Sequence, residues 1–308
     1  MTDRLHVLDA IGNTPLVELR RLVPAGSARV VVKLESANPT GGMKDRVALA
    51  MVRAAEKDGR LKPGGTVVEY TGGTTGVSLA FICAALGYKA HFVTSDAFSE
   101  EKRRTMRAYG AEVTEIPSDG KKLTEPLFKA MIARANELAS QPGHWFCDQL
   151  NNRDGEAGYH ALGDEMWRQA GSVDAFAQAV GTAHSINGTA DALRRHNPSL
   201  LVAAAEPAES PVLAGRAGGA HRIEGIGIGF TPPLWRPGLV SGIFSATSEE
   251  SNAMARRLAR EEALFGGTSS GLNVIAALEL ARRLGPGKTV GTLIIDSGLR
   301  YLSTDVYR

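Results

Sequence analysis

The feature that most constrains this chain is a rhythm: short runs rich in Val, Ile, Leu and Ala alternate with amphipathic stretches of 12 or more residues. A strand buried on both faces reads as a nearly continuous apolar run, and parallel neighbours need a crossover of helical length between them. The alternation therefore predicts an α/β fold of twisted, mostly parallel sheets flanked by helices. Strands are expected at 30–34, 66–70, 90–94, 112–116, 175–180, 200–205 and 289–295. Helices are expected at 45–58, 75–86, 100–109, 123–139, 156–169, 185–195, 248–262 and 269–284, several closed by a glycine stop such as Gly59, Gly87, Gly110 or Gly285.

A length of 308 residues allows two lobes, each with its own core. The break is expected near 151–155, giving lobes 1–150 and 151–308, with the first strands packing with the second lobe. The Pro/Gly-rich stretch 214–237 reads as a long ordered loop, and a loop of that length in a compact domain usually has a function. Lys and Arg total 35 against 33 Asp and Glu, and the signs mix even in the densest run, Glu100-Glu101-Lys102-Arg103-Arg104. That balance excludes a nucleic-acid footprint or a polybasic membrane patch and leaves a small molecule as the expected partner. With no apolar run of membrane-spanning length and no signal-like start, cytoplasmic location is the expectation. Cys83 and Cys147 supply neither a disulfide framework nor a zinc spacing and are expected to be buried small hydrophobes, with no metal site.

Four strand-to-helix connections carry the chemistry. In the first, 38–46 (NPTGGMKDR), Lys44 stands at a helix N-terminus, where the dipole favours acidic residues. Two readings are open: a solvated surface amine, or an amine whose pKa is lowered by the positive helix end and by desolvation, as covalent catalysis requires. In the second, 71–76 (TGGTTG), paired glycines and hydroxyls at a helix start suit a carboxylate or phosphate, although such a turn is also an ordinary connector, and the spacing fits neither the P-loop nor the dinucleotide fingerprint. The third, Gly181-Thr182-Ala183-His184-Ser185, offers another anion cradle; His184 is expected to be a surface or loop residue and is assigned no chemistry. In the fourth, 266–271 (GGTSSG), Ser269 or Ser270 reads simply as a helix N-cap. In an open α/β sheet the carboxyl ends of the strands converge on one crevice, so the four loops are expected to face one ligand.

These residues, with IGNTPL at 11–16, GIGIGF at 225–230 and DSGLRYLST at 296–304, resemble the cysteine synthase / cystathionine β-synthase family, fold type II (tryptophan-synthase β-like) enzymes dependent on pyridoxal phosphate. The resemblance runs over nearly the whole chain and implies that Lys44 is the Schiff-base lysine and later the base. It implies that Thr71, Gly72, Thr74 and Thr75 clamp the substrate carboxylate with the help of Gln149, and that Gly181, Thr182, Ala183, His184 and Ser185 cradle the cofactor phosphate. Thr74 also falls where the family contacts the cofactor ring, Ser269 where it faces the pyridine nitrogen, and Gly225 in a segment lining the entrance.

The activity so implied is β-replacement on an O-activated L-serine through an α-aminoacrylate, most simply L-cysteine synthesis from O-acetyl-L-serine and sulfide, by a homodimer. The sequence departs from the family at Thr74, usually asparagine, at Gly72, usually serine, and at Ala183-His184, usually glycines. The exact substrate is therefore open: serine itself, homocysteine or an amine as nucleophile, and β-elimination of the serine/threonine dehydratase type, are the enzymatic alternatives. A non-catalytic relative of the same fold is the alternative outside catalysis, and retention of Lys44 with a hydroxyl at Ser269 argues against it.

Overall fold

A computed structural model describes residues 6–120 and 124–308, the Glu125 side chain excepted. The chain forms two compact units, Met1–Ile11 with Lys44–Gly158 (unit 1) and Gly12–Met43 with Tyr159–Arg308 (unit 2). The boundary falls at Gly158 rather than at residue 150, within a 3-10 helix, Arg153–Tyr159. Gly158 lies so close to the start of unit 1 that a Cβ on it would sit 2.3 Å from the Arg46 carbonyl oxygen.

In chain order the structure opens with β1 (Leu16–Glu18) and β2 (Arg29–Leu34), both in unit 2. Unit 1 follows with α1 (Lys44–Asp58), β3 (Thr66–Tyr70), α2 (Thr74–Leu86), β4 (Lys89–Ser95), α3 (Glu100–Ala108), β5 (Glu112–Ile116), α4 (Glu125–Ala139) and β6 (His144–Phe146). Unit 2 resumes with α5 (His160–Ala170), β7 (Ala175–Ala179), α6 (His184–His196), β8 (Leu201–Pro207), β9 (Gly242–Ala246), α7 (Ser248–Glu262), α8 (Thr268–Leu284) and β10 (Thr289–Ile294). Most expected elements recur within a residue or two. The helix expected from 123 begins at Glu125, Leu123 itself lying outside the described residues, and the one expected from 156 begins at His160 after the 3-10 turn.

Unit 1 is built on a parallel sheet ordered β5-β4-β3-β6. One face packs Val68, Tyr70 and Val93 against Leu127, Met131, Ala135 and Leu138, a helical stripe along α4. Unit 2 is built on a sheet ordered β1-β2-β10-β7-β8-β9, parallel except for the edge strand β1. Its central strands β7 and β8 are rich in alanine, and these small side chains let α8 lie against the sheet. The register of β10 on β7 holds only for Val290↔Ala175 and Gly291↔Phe176. Beyond that point Asn273 of α8 bridges the two strands, its Oδ1 accepting the Ala179 N–H at 2.6 Å and its Nδ2 donating to the Leu293 carbonyl at 3.0 Å. One buried amide thus satisfies two backbone groups that the ladder leaves unpaired.

The stretch between β8 and β9 is irregular but tied down throughout. Glu206 accepts the N–H groups of Leu213 and Ala214, Asn187 donates to the Leu234 carbonyl at 2.9 Å, and Arg236 pairs with Asp191 at 2.7 Å. Within it, His221 Nδ1 accepts from the Ile223 N–H, so the ring proton sits on Nε2 and is donated to the Gly227 carbonyl at 2.7 Å.

Candidate active site

Lys44 is the first residue of α1. The segment leading to it is fastened to the end of β10 within unit 2: Ser297 N–H donates to the Gly41 carbonyl at 3.0 Å, Met43 N–H to the Ile295 carbonyl at 2.9 Å, and Arg300 to the Thr40 carbonyl. Lys44 itself is partly exposed, yet its amine is desolvated enough that burial pulls its pKa from 10.5 down to about 8. Of the two readings of Lys44 from sequence, the desolvated amine is the one found.

The 71–76 loop connects β3 to α2. Thr71 is buried and its hydroxyl oxygen accepts the N–H groups of Gly73 at 2.9 Å and Gly76 at 3.2 Å, folding the loop around itself. Gly73, the N-cap, has φ 125°, open to glycine and costly for other residues. Thr75 donates its hydroxyl proton to Gln149 Oε1 at 2.6 Å, which brings together two candidate residues 74 positions apart in sequence. Thr74 is half-buried and Gly72 exposed.

In unit 2, α6 begins at His184 behind Ala183, whose φ of 73° is unusual for a residue with a Cβ. Gly181 admits no side chain, because a Cβ would lie 2.8 Å from the Gly225 carbonyl oxygen; the 225–227 turn is thereby laid against the cradle. Ser185 Oγ accepts from Gln178 Nε2 at 2.5 Å, which leaves the serine proton for another acceptor. His184 is only 1% exposed and its Nδ1 lies 2.7 Å from Thr182 Oγ1. The expectation of a surface histidine fails because the first turn of α6 is buried rather than looped into solvent.

At the fourth connection the N-cap of α8 is Gly267, so neither Ser269 nor Ser270 caps the helix. Ser270 Oγ instead accepts the Ile295 N–H at 2.9 Å. Ser269 is buried, 2% exposed.

Side-chain capping is uneven among the helices. Ser99, Thr124 and Thr247 cap α3, α4 and α7 with their side chains. The N-cap residues of α2, α5, α6 and α8 make no side-chain cap; at α2 the Thr71 hydroxyl takes the Gly76 N–H instead, while the start of α6 can present backbone N–H groups to an anion. Taken unit by unit, the residues present suit pyridoxal phosphate: in unit 1 the desolvated amine of Lys44 suits its aldehyde, and in unit 2 the Gly181 turn, too close to backbone for a Cβ, suits its phosphate and the buried Ser269 hydroxyl its ring nitrogen. A shallow groove of about 920 Å³ on unit 2, bordered by Glu18, Arg29 and Lys288, includes none of these residues. Among the described residues no group of His, Cys, Asp and Glu is arranged to hold a metal, and no helix is long and apolar enough to cross a membrane. Both cysteines are buried, and burial raises both thiol pKa values.

The residue that sequence reasoning missed is Glu69. It is fully buried beside the 71–76 loop, where burial pushes its carboxyl up to about 8, against the pull of the Gln149 N–H. A glutamate inside an otherwise apolar strand, TVVEY, was the available signal.

Comparison with known proteins gives the same picture. Residues 7–296 match the family model described as pyridoxal-phosphate dependent enzyme. The chain is 40% identical over 305 residues to a cysteine synthase of Staphylococcus aureus, covering 98% of this chain and 96% of that protein. A cysteine synthase (OASS) from Entamoeba histolytica superposes with a TM-score of 0.92 at 35% identity, covering 100% of this chain and 92% of that one. An O-acetylserine dependent cystathionine beta-synthase from Helicobacter pylori superposes with a TM-score of 0.91 at 33% identity, with both chains covered in full. By fold and by sequence, the chain belongs to the pyridoxal-phosphate-dependent enzymes.

Proposed function

We propose that the protein catalyses β-replacement on an O-activated L-serine, in the simplest case forming L-cysteine from O-acetyl-L-serine and sulfide. Pyridoxal phosphate, when bound, supplies an electron sink that acidifies the Cα–H of the amino acid joined to it. Lys44 would hold the cofactor through its aldehyde carbon, the aldehyde oxygen leaving as water. Its Nζ would take the Cα proton of the substrate, hold it while the leaving group departs from Cβ and the nucleophile adds there, and then return it to Cα. The start of α6, with Gly181, Thr182, Ala183, His184 and Ser185, would hold the phosphate, Ser269 would serve the pyridine nitrogen and Thr74 the ring. The N–H groups of the 71–75 loop and the amide of Gln149 hold the substrate carboxylate, and Gly225 lines the entrance.

The observation that carries this reading is the amine of Lys44, desolvated at the start of α1 with a pKa of about 8. Such an amine is a competent nucleophile and base near neutral pH, whereas an ordinary lysine is almost wholly protonated. Homocysteine as the acceptor is the second reading, favoured by the likeness to the Helicobacter pylori protein. Cytoplasmic location and a homodimer acting on small molecules complete the proposal and are supported by the family likeness.

The test uses purified protein saturated with pyridoxal phosphate and given O-acetyl-L-serine with sulfide or with homocysteine, the amino-acid products being identified by mass spectrometry. Wild type is expected to yield L-cysteine and Lys44→Ala none. Pyruvate formation with no replacement product from either nucleophile would overturn the proposal in favour of elimination.

A further inference from the structure

Glu69 is a buried carboxyl that the proposed chemistry does not use. It is wholly buried at the end of β3, and no lysine or arginine pairs with it among the described residues. Its oxygens accept the N–H of Tyr70 at 3.0 Å and the N–H of Gln149 at 2.9 Å. A carboxyl kept in the interior without a cation is costly, and its hydrogen bonds show what it holds. The residue before Gln149, Asp148, has φ 50°, a left-handed conformation that resists relaxation only where neighbours enforce it. Asn151 Nδ2 donates to the Asp148 carboxylate at 2.9 Å, and Glu69 fixes the bend from the other side.

The bend sets the side chain of Gln149. One of its amide atoms lies 3.4 Å from the Tyr70 carbonyl oxygen, which only accepts, so that atom is Nε2. Oε1 is then the atom 2.6 Å from Thr75 Oγ1 and takes the hydroxyl proton. The single proton of Thr75 is thereby spent and cannot be donated to a bound carboxylate. Among the described residues, Gln149 keeps one amide N–H uncommitted.

We propose that Glu69 is the positioning residue of the substrate-carboxylate cradle: through the Gln149 N–H it fixes the bend that makes Gln149, rather than the Thr75 hydroxyl, the side-chain donor to the substrate. This inference rests on the functional reading above, in which the 71–75 loop and Gln149 hold an amino-acid carboxylate.

The test is a double-mutant cycle on the holoenzyme with Glu69→Gln and Gln149→Ala. Two quantities are read: KM and kcat for O-acetyl-L-serine, and the dissociation constant of L-alanine, which has no leaving group, followed by tryptophan fluorescence. Glutamine in place of Glu69 keeps the shape but can accept only one of the two N–H groups. Glu69→Gln is expected to raise KM and the L-alanine dissociation constant about ten-fold, the worth of one well-placed hydrogen bond, with kcat within about two-fold. In the Gln149→Ala background the same change should add little.

Equal effects in both backgrounds, or a loss confined to kcat, would overturn the inference. Should wild type consume no O-acetyl-L-serine, the functional reading fails, while the L-alanine cycle still decides the role of Glu69. Should Glu69→Gln not fold, deuterium exchange at the Gln149 amide of the wild type decides: slow exchange is expected, and exchange as fast as at an exposed loop would overturn the inference.

Discussion

Lys44 makes a prediction that needs no substrate. Its amine has a pKa of about 8 against 10.5 for an ordinary lysine, and the sole cause is loss of solvation. At pH 7.4 about one Lys44 in five is then uncharged, compared with roughly one in a thousand for a solvated lysine. Acetic anhydride reacts only with the uncharged form. Brief acetylation of cofactor-free protein across pH 6–11, with labelled peptides quantified by mass spectrometry, should give a curve for Lys44 with its midpoint near 8. Exposed lysines such as Lys57 or Lys62 provide the internal comparison. The shift also has a consequence for stability. Because the folded pKa lies below the unfolded one, the unfolded chain binds the extra proton between pH 8 and 10.5, so stability rises with pH across that window. Below pH 8 the full desolvation cost is present. The cofactor-free wild type should therefore gain on Lys44→Ala in urea unfolding as the pH is raised from 8 to 10.5. A labelling midpoint at 10 or above, or a flat difference between the two proteins over that window, would refute the argument that burial sets the reactivity of this amine.

Two further predictions follow from the backbone of unit 2. Asn273→Leu leaves the Ala179 N–H and the Leu293 carbonyl buried without partners and should cost about 2–5 kcal/mol in urea unfolding; a loss below about 1 kcal/mol would show that the splayed strands find other partners. Gly181→Ala sets a Cβ 2.8 Å from the Gly225 carbonyl, where neither neighbour is a flexible side chain, and should weaken retention of pyridoxal phosphate on dialysis at least about ten-fold while the circular dichroism stays native; undiminished retention would show that the cradle yields without loss.

How much of this was legible in the sequence depends on the range of the forces involved. The central strands and long helices are written in local periodicity, and β3, β5 and α7 coincide with their expected limits. The short strands β1 and β6 and the strand β9 are not so written: β1 and β6 have three residues each, too few to show a period, and β9 is specified by the edge of β8 that it joins. The candidate loops stood out because glycine and hydroxyl residues before a helix have a local meaning. What local meaning could not supply was the assignment of each hydroxyl. Ser270 bonds the backbone of Ile295, and Thr71 spends its oxygen on its own loop. Glu69 gained its meaning from Gln149, 80 residues away, a pairing created only by the register of β6 on β3.

The strand order of unit 2 bears on how the chain reaches this state. β10, the last strand of the described chain, lies between β2 and β7, pairing Arg29 with Thr289 across some of the longest sequence separations in the molecule. During synthesis the residues of β2 emerge some 260 residues before the β10 residues they pair with, as from Arg29 to Thr289, while 44–158, contiguous in sequence, has all the strands of its own sheet. Unit 1 can therefore fold on the ribosome, whereas the unit 2 sheet closes only after residues 289–294 have emerged, the slow step expected of long-range parallel pairing. Until then β2 and β7 each present an open edge to other chains, and this interval is when the nascent protein is most exposed to aggregation.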